Sequence, residues 1–441
     1  MVEPCPWLGI VLLSLLLLLP LSDATAEDAD DAGPPPFREG DVIGVEQVER
    51  LRPYLPPEFW EHRDFFFYEG MRLEIGPFHR DYAPPPVWQE ASERFRGQAR
   101  IGPDESLEGY VSGTPFPPEA IDCAGDPQAG AKHAWNFANR WDGDGADARY
   151  LYSYWDRGEE LPLFFRGTSK TVRLARRPEP SLLDRQGGDL IRGERRLYAF
   201  GIEVDAPFDA RGVKLLTYRY KQAERPRSES RNDDTWVYVP TLRRVRRIST
   251  AQRTDAVSGT DFTFDDLASF SGIVPQYTWK CIGEQELLAP VNSRVRAYPY
   301  AEGHDFGPYG LSYADDRWEL RRTIQLRMIP KNADHPYHHK DLYLDTQTYA
   351  PLYSFAYDQK QELWKIIWHA GRWSEDGFAE YQGWDEVPQP RDLRTVSDIV
   401  VNVQTGTGNR IEFWDNHGTP YRTRGQMRRY IDVGRLERGS N

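Results

Sequence analysis

The chain reads as a β-dominated α+β protein: an antiparallel sheet with covering helices behind a proline-rich N-terminal wrap. Three observations predict this. Period-two alternation recurs from about Ala131 onward, long helical patterns are few, and prolines crowd the segment before that point. Residues 27–130 hold 15 of the 34 prolines, against an ordinary usage of about 5%. Proline fixes φ and removes a backbone donor, so this part forms neither a continuous sheet nor a long helix. Length alone allows two or three domains. No repeat of 20 to 50 residues is visible, and the pattern favours one large sheet domain over 131–441 with a wrap over 27–130.

The first 26 residues read as a leader. Leu8 to Leu21 is a mostly apolar run of 14 residues, shorter than the roughly 20 needed to span a bilayer. Ala24-Thr25-Ala26 supplies a small-x-small cleavage site. Glu3 stands where a positive residue is usual, and a membrane anchor is the competing reading. Cys5 lies too early for lipid attachment. Cleavage after Ala26 predicts a periplasmic, water-soluble chain.

Within the wrap, Val45, Val48 and Leu51 share one helical face before Pro53, with Asp41 as the expected cap. Phe59, Trp60, Phe65 to Tyr68, Phe78 and Trp88 give this segment too much apolar surface for a free tail. Strands follow. Tyr150, Tyr152 and Tyr154 alternate with Leu151, Ser153 and Trp155, and Leu215 and Thr217 alternate with Leu216 and Tyr218. Trp236 to Val239 and Leu242 to Ile248 read as two tightly joined antiparallel strands. Thr323 to Met328 and Leu363 to His369 continue the habit. Between them, KDLYLDTQTYAPLYSFAYD reads as a hairpin with its turn at Asp345 to Thr348 and with Tyr353, Phe355 and Tyr357 on one face.

The formal charge is −13. Loss of Glu3 and Asp23 with the leader takes it to −11, a sign that disfavours nucleic acid as partner. Cys123 and Cys281 remain after cleavage. In an oxidising compartment they could form one disulfide or stay as two buried thiols.

The search for chemistry is mostly negative. G-x-S-x-G, H-E-x-x-H, C-x-x-C and P-loop patterns are all missing, so no catalytic residue, metal site or cofactor is assigned. His335, His338 and His339 crowd near Asp334 and Asp341 but match no standard ligand spacing, and read as a polar connection. Asp142, Asp144 and Asp147 imitate a calcium loop. The pattern fails because Asp147 stands where glycine is needed, and a solvated turn is expected. Arg243, Arg244, Arg246 and Arg247 divide over both faces of a strand, with Asp233, Asp234, Asp261, Asp265 and Asp266 as nearby partners. The competing reading places one or two of them at a cavity mouth or on a partner protein.

The stretch WVYVPTLRRVRRI followed by SGTDFTFDDL, within residues 236–267, closely resembles the outer-membrane lipoprotein-sorting-like superfamily, which includes the LolA and LolB carriers and the sensor RseB. GDVIG, GMRLEIGP, GTPFPPEAID, DPQAGAKHAWNFANRW and YTWKCIGEQELLAP resemble more loosely a periplasmic branch of that superfamily of undefined function. The likeness covers nearly the whole chain beyond the leader. It implies a curved sheet forming an incomplete β-barrel that shelters a lipid or acyl chain. Concave apolar pockets suit such ligands, and each buried methylene contributes about 0.8 kcal/mol. Candidate lining residues are Leu215, Trp236, Tyr238, Tyr353, Phe355 and Trp364, each of which could equally be plain core.

The resemblance implies a carrier of lipid or another hydrophobic molecule, with an envelope transporter or outer-membrane protein as partner and transient contact with a membrane surface. A ligand-responsive sensor shares the fold. A carbohydrate-binding or glycosidase-like protein is the third reading, prompted by the many tryptophans and acidic residues; no carboxylate pair can be singled out for it.

Overall fold

The computed structural model describes residues 34–248, 253–294, 305–376, 390–417 and 424–437. The expected leader and its cleavage point lie outside them. The chain divides into two units, 1–36 and 37–441, and the second holds the sheet. Among the described residues, no helix is long and apolar enough to cross a membrane.

The first elements are short, as the prolines require. β1 (Val42–Ile43) and β2 (Leu73–Ile75) pair with each other, and between them lie a 3-10 helix over Val45–Tyr54 and α1 (Pro57–Glu61). Val48 and Leu51 are buried as their spacing predicts, but the helix begins after Gly44 rather than Asp41. Asp41 accepts the Arg38 N–H at 2.9 Å and so serves the preceding turn. α2 (Pro86–Arg94) follows, then the small hairpin of β3 (Arg100–Ile101) and β4 (Leu107–Glu108), then α3 (Ala129–Ala138), which spans the expected boundary at residue 130.

The first run of strands is β5 (Gly145–Asp156), β6 (Glu159–Glu160), β7 (Phe165–Arg173), β8 (Arg196–Ala206), β9 (Lys214–Tyr220), β10 (Asp234–Val239) and β11 (Arg244–Ile248), with α4 (Pro180–Gln186) between β7 and β8. The second run is β12 (Tyr277–Ala289), β13 (Arg317–Pro330), β14 (His339–Asp345), β15 (Pro351–Tyr357), β16 (Leu363–Trp373), β17 (Leu393–Asn402) and β18 (Thr407–His417), closed by α5 (Arg424–Tyr430). All join in one 16-stranded sheet. Its main path runs from β12 through β18 in order, crosses to β5, and continues β7–β8–β9–β10–β11. Every ladder on that path is antiparallel; β2 adds in parallel to β13.

The sheet is curved and stays open, with β12 and β11 as its unjoined ends, so the expected incomplete barrel is what forms. Bulges in the β7–β8, β12–β13, β14–β15, β15–β16 and β16–β17 ladders account for the bending, because each extra residue bends its strand and increases local twist. The hairpins β10–β11 and β14–β15 fall where the alternation places them.

Each face of the sheet has its own covering. Residues 37–82 wrap one face, where Phe59 stacks on Phe66 at 4.1 Å and meets Trp368 and Tyr353 edge-on at 5.0 and 5.4 Å. Farther along this face, Met427 and Ile431, on and just after α5, pack on Val172, Ala199, Leu216 and Tyr218. On the opposite face α3 lies against β12 so closely that a Cβ at Gly130 would fall 2.3 Å from the Trp279 carbonyl oxygen. Glycine is required there. A disulfide joins Cys123, just before α3, to Cys281 in β12, with Cα atoms 5.3 Å apart. The rest of that face carries the segment 253–276, called the cover below.

The Asp142–Asp147 turn is solvated only in part: Asp142 is exposed as expected, whereas Asp144 is not. Asp144 is buried and pairs with the equally buried Arg177 at 3.2 Å, while Asp142 receives Arg173 at 2.6 Å. Arginines from β7 and the chain beyond it supply the neutralising charge, and no local spacing could announce them.

Candidate functional site

The cross-strand register aligns one apolar row on the cover face. Ile202 of β8 opposes Leu215 of β9, and Leu215 opposes Val237 of β10. Phe165 of β7 stands nearby, its ring 6.1 Å from that of Tyr152. The three row residues are half-buried, as is Phe165, which lies four residues along β7 from Ser169, the residue opposite Ile202. Phe165 and Ile202 pack against the core of Tyr150, Tyr152, Phe262, Ile367, Val400 and Ile411, together with Val257 and Leu267 of the cover. Leu215 and Val237 carry the row past that core toward the sheet edge. There it ends on charge: Val237 pairs with Arg246 and Val239 with Arg244 on β11, both exposed.

Of the six candidate lining residues, Leu215 lies on this row. Trp236 and Tyr238 point to the opposite face of β10, where Trp236 meets Tyr218 at 4.8 Å beside α5. Tyr353 and Phe355 are fully buried beneath the wrap, and Trp364 packs on Tyr337 at 5.5 Å. The six therefore do not share one surface. Ile202 and Val237 were missed because alternation shows that a strand has two faces without showing which one borders the cover.

The four arginines also separate. Arg247 pairs with Asp234. Arg243 occupies the left-handed turn between β10 and β11, while Arg243, Arg244 and Arg246 have no ion pair among the described residues. The aspartates expected to neutralise them are engaged elsewhere. Asp233 holds Arg219 and Arg253, Asp265 holds Arg253, and Asp266 holds Lys340.

Two buried polar constellations fix the cover on the sheet. Asp266 accepts Lys340 Nζ at 2.6 Å, Lys365 Nζ at 3.3 Å, the Tyr337 hydroxyl at 2.8 Å and the Thr263 hydroxyl at 2.9 Å. Burial alone would raise its pKa, but the two lysines outweigh that and hold the carboxyl well below the usual range. Three residues on, Ser269 Oγ lies 2.7 Å from His369 Nε2, and His369 Nδ1 lies 2.5 Å from Asp398 Oδ1. The order of groups is that of a nucleophile relay. The Ser269 hydroxyl is fully buried against the sheet, so in this structure the relay serves as a latch between the cover, β16 and β17.

Among the described residues, one group has metal-ligand proximity: Cys123, His133 and Cys281. The two sulfurs are bonded to each other, which leaves His133 as its one available donor. His335, His338 and His339 form no such group among the described residues. His339 stacks on Tyr357 at 4.2 Å.

Solved structures resemble the chain at low identity. A domain described as an outer membrane lipoprotein-sorting protein, from Vibrio parahaemolyticus, matches with 18% identity and TM-score 0.45 over 71% of this chain and 100% of its own. A DUF1329 family protein from Desulfovibrio piger matches with 17% identity and TM-score 0.44 over 69% and 96%. A LolA superfamily protein from Nitrosomonas europaea matches with 11% identity and TM-score 0.35 over 65% and 91%. No curated protein matches the sequence. The family model described as protein of unknown function DUF1329 matches residues 52–433, and the chain belongs to that family.

Proposed function

We propose that this protein is an exported carrier of a lipid or another hydrophobic molecule with an acidic end, acting in the cell envelope. The observation that supports it most is the half-buried row through Ile202, Leu215 and Val237 that ends on the exposed Arg246, which has no ion pair among the described residues. Strands lie about 4.8 Å apart, so the path from Ile202 on β8 to Arg246 on β11 is about 14 Å long. An acyl chain occupies half of a hydrocarbon core about 30 Å thick, or roughly 15 Å. The row is comparable in length to one chain, and burial at about 0.8 kcal/mol per methylene supplies affinity without a catalytic group. Arg246 and Arg244 then meet the head group, since a guanidinium binds carboxylate or phosphate in two-pronged fashion. The apolar leader run and the disulfide fit export to an oxidising compartment.

Native mass spectrometry of protein purified from its own envelope without detergent should reveal a bound lipid. Leu215→Glu places a carboxylate in the middle of the row and is expected to cut retention at least tenfold, because an unpaired buried charge is costly. Arg246→Ala should cost a few-fold for acidic lipids and little for neutral ones. Lipid loading that leaves the wild type empty, or equal retention by Leu215→Glu, refutes the proposal.

A further inference from the structure

We propose that Cys123, Cys281 and His133 form a zinc site whenever the disulfide between the two cysteines is reduced, so that the bond gates the metal. The three ligand atoms lie within 4.8 Å of one another. A tetrahedral zinc sits about 2.3 Å from sulfur and about 2.0 Å from imidazole nitrogen, which sets its ligand atoms roughly 3.5 to 3.8 Å apart. Cutting the S–S bond lets the sulfurs part by rotation about Cα–Cβ. Cys123 has room for this, because it lies in the turn before α3 rather than in a strand. Both cysteines are half-buried, so a reductant can reach them and the fourth position of the metal stays open to water.

The imidazole is oriented from its far side. His133 is 1% exposed, and its Nε2 lies 3.9 Å from Cys123 Sγ, a weak hydrogen-bonding partner. Its Nδ1 lies 3.0 Å from the hydroxyl of Tyr349, in the connection between β14 and β15. That hydroxyl accepts from Asn136 Nδ2 at 2.9 Å, and the Asn136 amide is fixed in turn by the N–H and the carbonyl of Phe116. When the second lone pair of the tyrosine oxygen takes the Nδ1 proton, Nε2 keeps its own lone pair toward the sulfurs, as a metal-ligating histidine requires. Two thiolates and an imidazole suit zinc, whereas calcium and magnesium need oxygen ligands.

A dithiol reductant gives two electrons to the S–S bond and leaves as its own disulfide, which produces two thiols. Each thiol then loses a proton as its sulfur binds zinc, and neutral His133 donates its lone pair without releasing one. Oxidised or zinc-bound, the turn before α3 stays clipped to β12. The site shares no residue with the apolar row or its arginines, so its failure leaves the carrier reading standing.

The test is zinc titration of the full exported chain, which keeps Cys123 and Cys281 and not Cys5, in competition with a chromophoric chelator. It is run on oxidised protein and on protein reduced by a phosphine without oxygen. The reduced protein should bind one more zinc per chain than the oxidised, and cobalt in its place should show thiolate charge-transfer absorption. His133→Gln keeps both thiols and should weaken binding roughly a hundredfold; Tyr349→Phe should weaken it about tenfold, the scale for losing a group that orients a ligand. Circular dichroism of the oxidised variants checks that they fold, since the disulfide is intact in each. A reduced wild type that takes up no zinc overturns the proposal, including one that unfolds on reduction and is not restored by the metal. Equal binding by oxidised protein, or by reduced His133→Gln, overturns it as well, because the zinc then sits elsewhere or on the thiols alone.

Discussion

Asp266→Ala is expected to lower unfolding free energy by about 4 kcal/mol, the scale for removing one partner of a buried ion pair. Lys340 and Lys365 are 1% and 2% exposed, and neither can reach water when the carboxylate between them is removed. Each keeps a carbonyl partner, Ser269 for Lys340 and Asp261 for Lys365, which bounds the loss without cancelling two unpaired charges. The conservative Asp266→Asn keeps the shape and should still be clearly destabilised. Adding Lys340→Met to Asp266→Asn should recover part of the loss, because it removes one of the orphaned charges. Urea denaturation of the four proteins checks this. A loss below about 1 kcal/mol for Asp266→Ala, or no recovery in the double variant, shows that the lysines are not held by this carboxylate.

The position of the cover makes that result bear on function. Val257, Phe262 and Leu267 pack over the start of the apolar row, while Asp266 and the Ser269–His369–Asp398 latch tie the same segment to β14, β16 and β17. Core packing and buried polar contacts are thus layered within a few residues. Toward β11, Leu215 and Val237 are half-buried, and the cover is held on the same strands farther along, by Arg253 to Asp233 at 2.6 Å and by Arg219 of β9 to the Ser271 and Gly272 carbonyls.

Local pattern made part of this legible. The β10–β11 and β14–β15 hairpins need only short-range alternation and a turn, and both form where Trp236 to Ile248 and Lys340 to Tyr357 place them. The seam of the sheet could not be read that way. Ser153 of β5 pairs with Arg410 of β18, and no periodicity specifies a partner so distant in the chain. Asp266 shows the same limit at one residue. Its nearest basic neighbour in sequence is Arg253, which goes to Asp233 and Asp265 instead, and Lys340 and Lys365 neutralise Asp266 once the cover crosses the sheet. At the site, Leu215 was recognisable as an apolar strand residue. Its grouping with Ile202 and Val237, and its separation from Tyr353 and Phe355, followed from register and covering.

Between about pH 6.5 and about pH 4, the wild type is expected to lose about 3 kcal/mol more stability than His133→Gln. Burial pushes the His133 imidazole down to about 4 from an ordinary 6.5, and the nearby Asp126 carboxylate opposes the shift only in part. Asp126 is itself engaged by Lys132 at 2.6 Å. The ring is enclosed by the Tyr349 hydroxyl at 3.0 Å and Cys123 Sγ at 3.9 Å. As pH falls through this window, the unfolded chain takes up a proton that the folded ring refuses. Stability is therefore complete above the unfolded value, declines toward about pH 4, and levels below it; about 2.5 pKa units correspond to about 3 kcal/mol. Asp144 acts in the opposite sense, since burial, against Arg177, raises its carboxyl to about 7 and acid then favours the folded form. The difference between the two proteins removes that opposing contribution, because both retain Asp144. Glutamine keeps a polar group opposite Tyr349 and cannot titrate. Thermal or urea melts across the window should converge for the two proteins toward about pH 4, and curves that stay parallel would show that His133 is not the group refusing the proton.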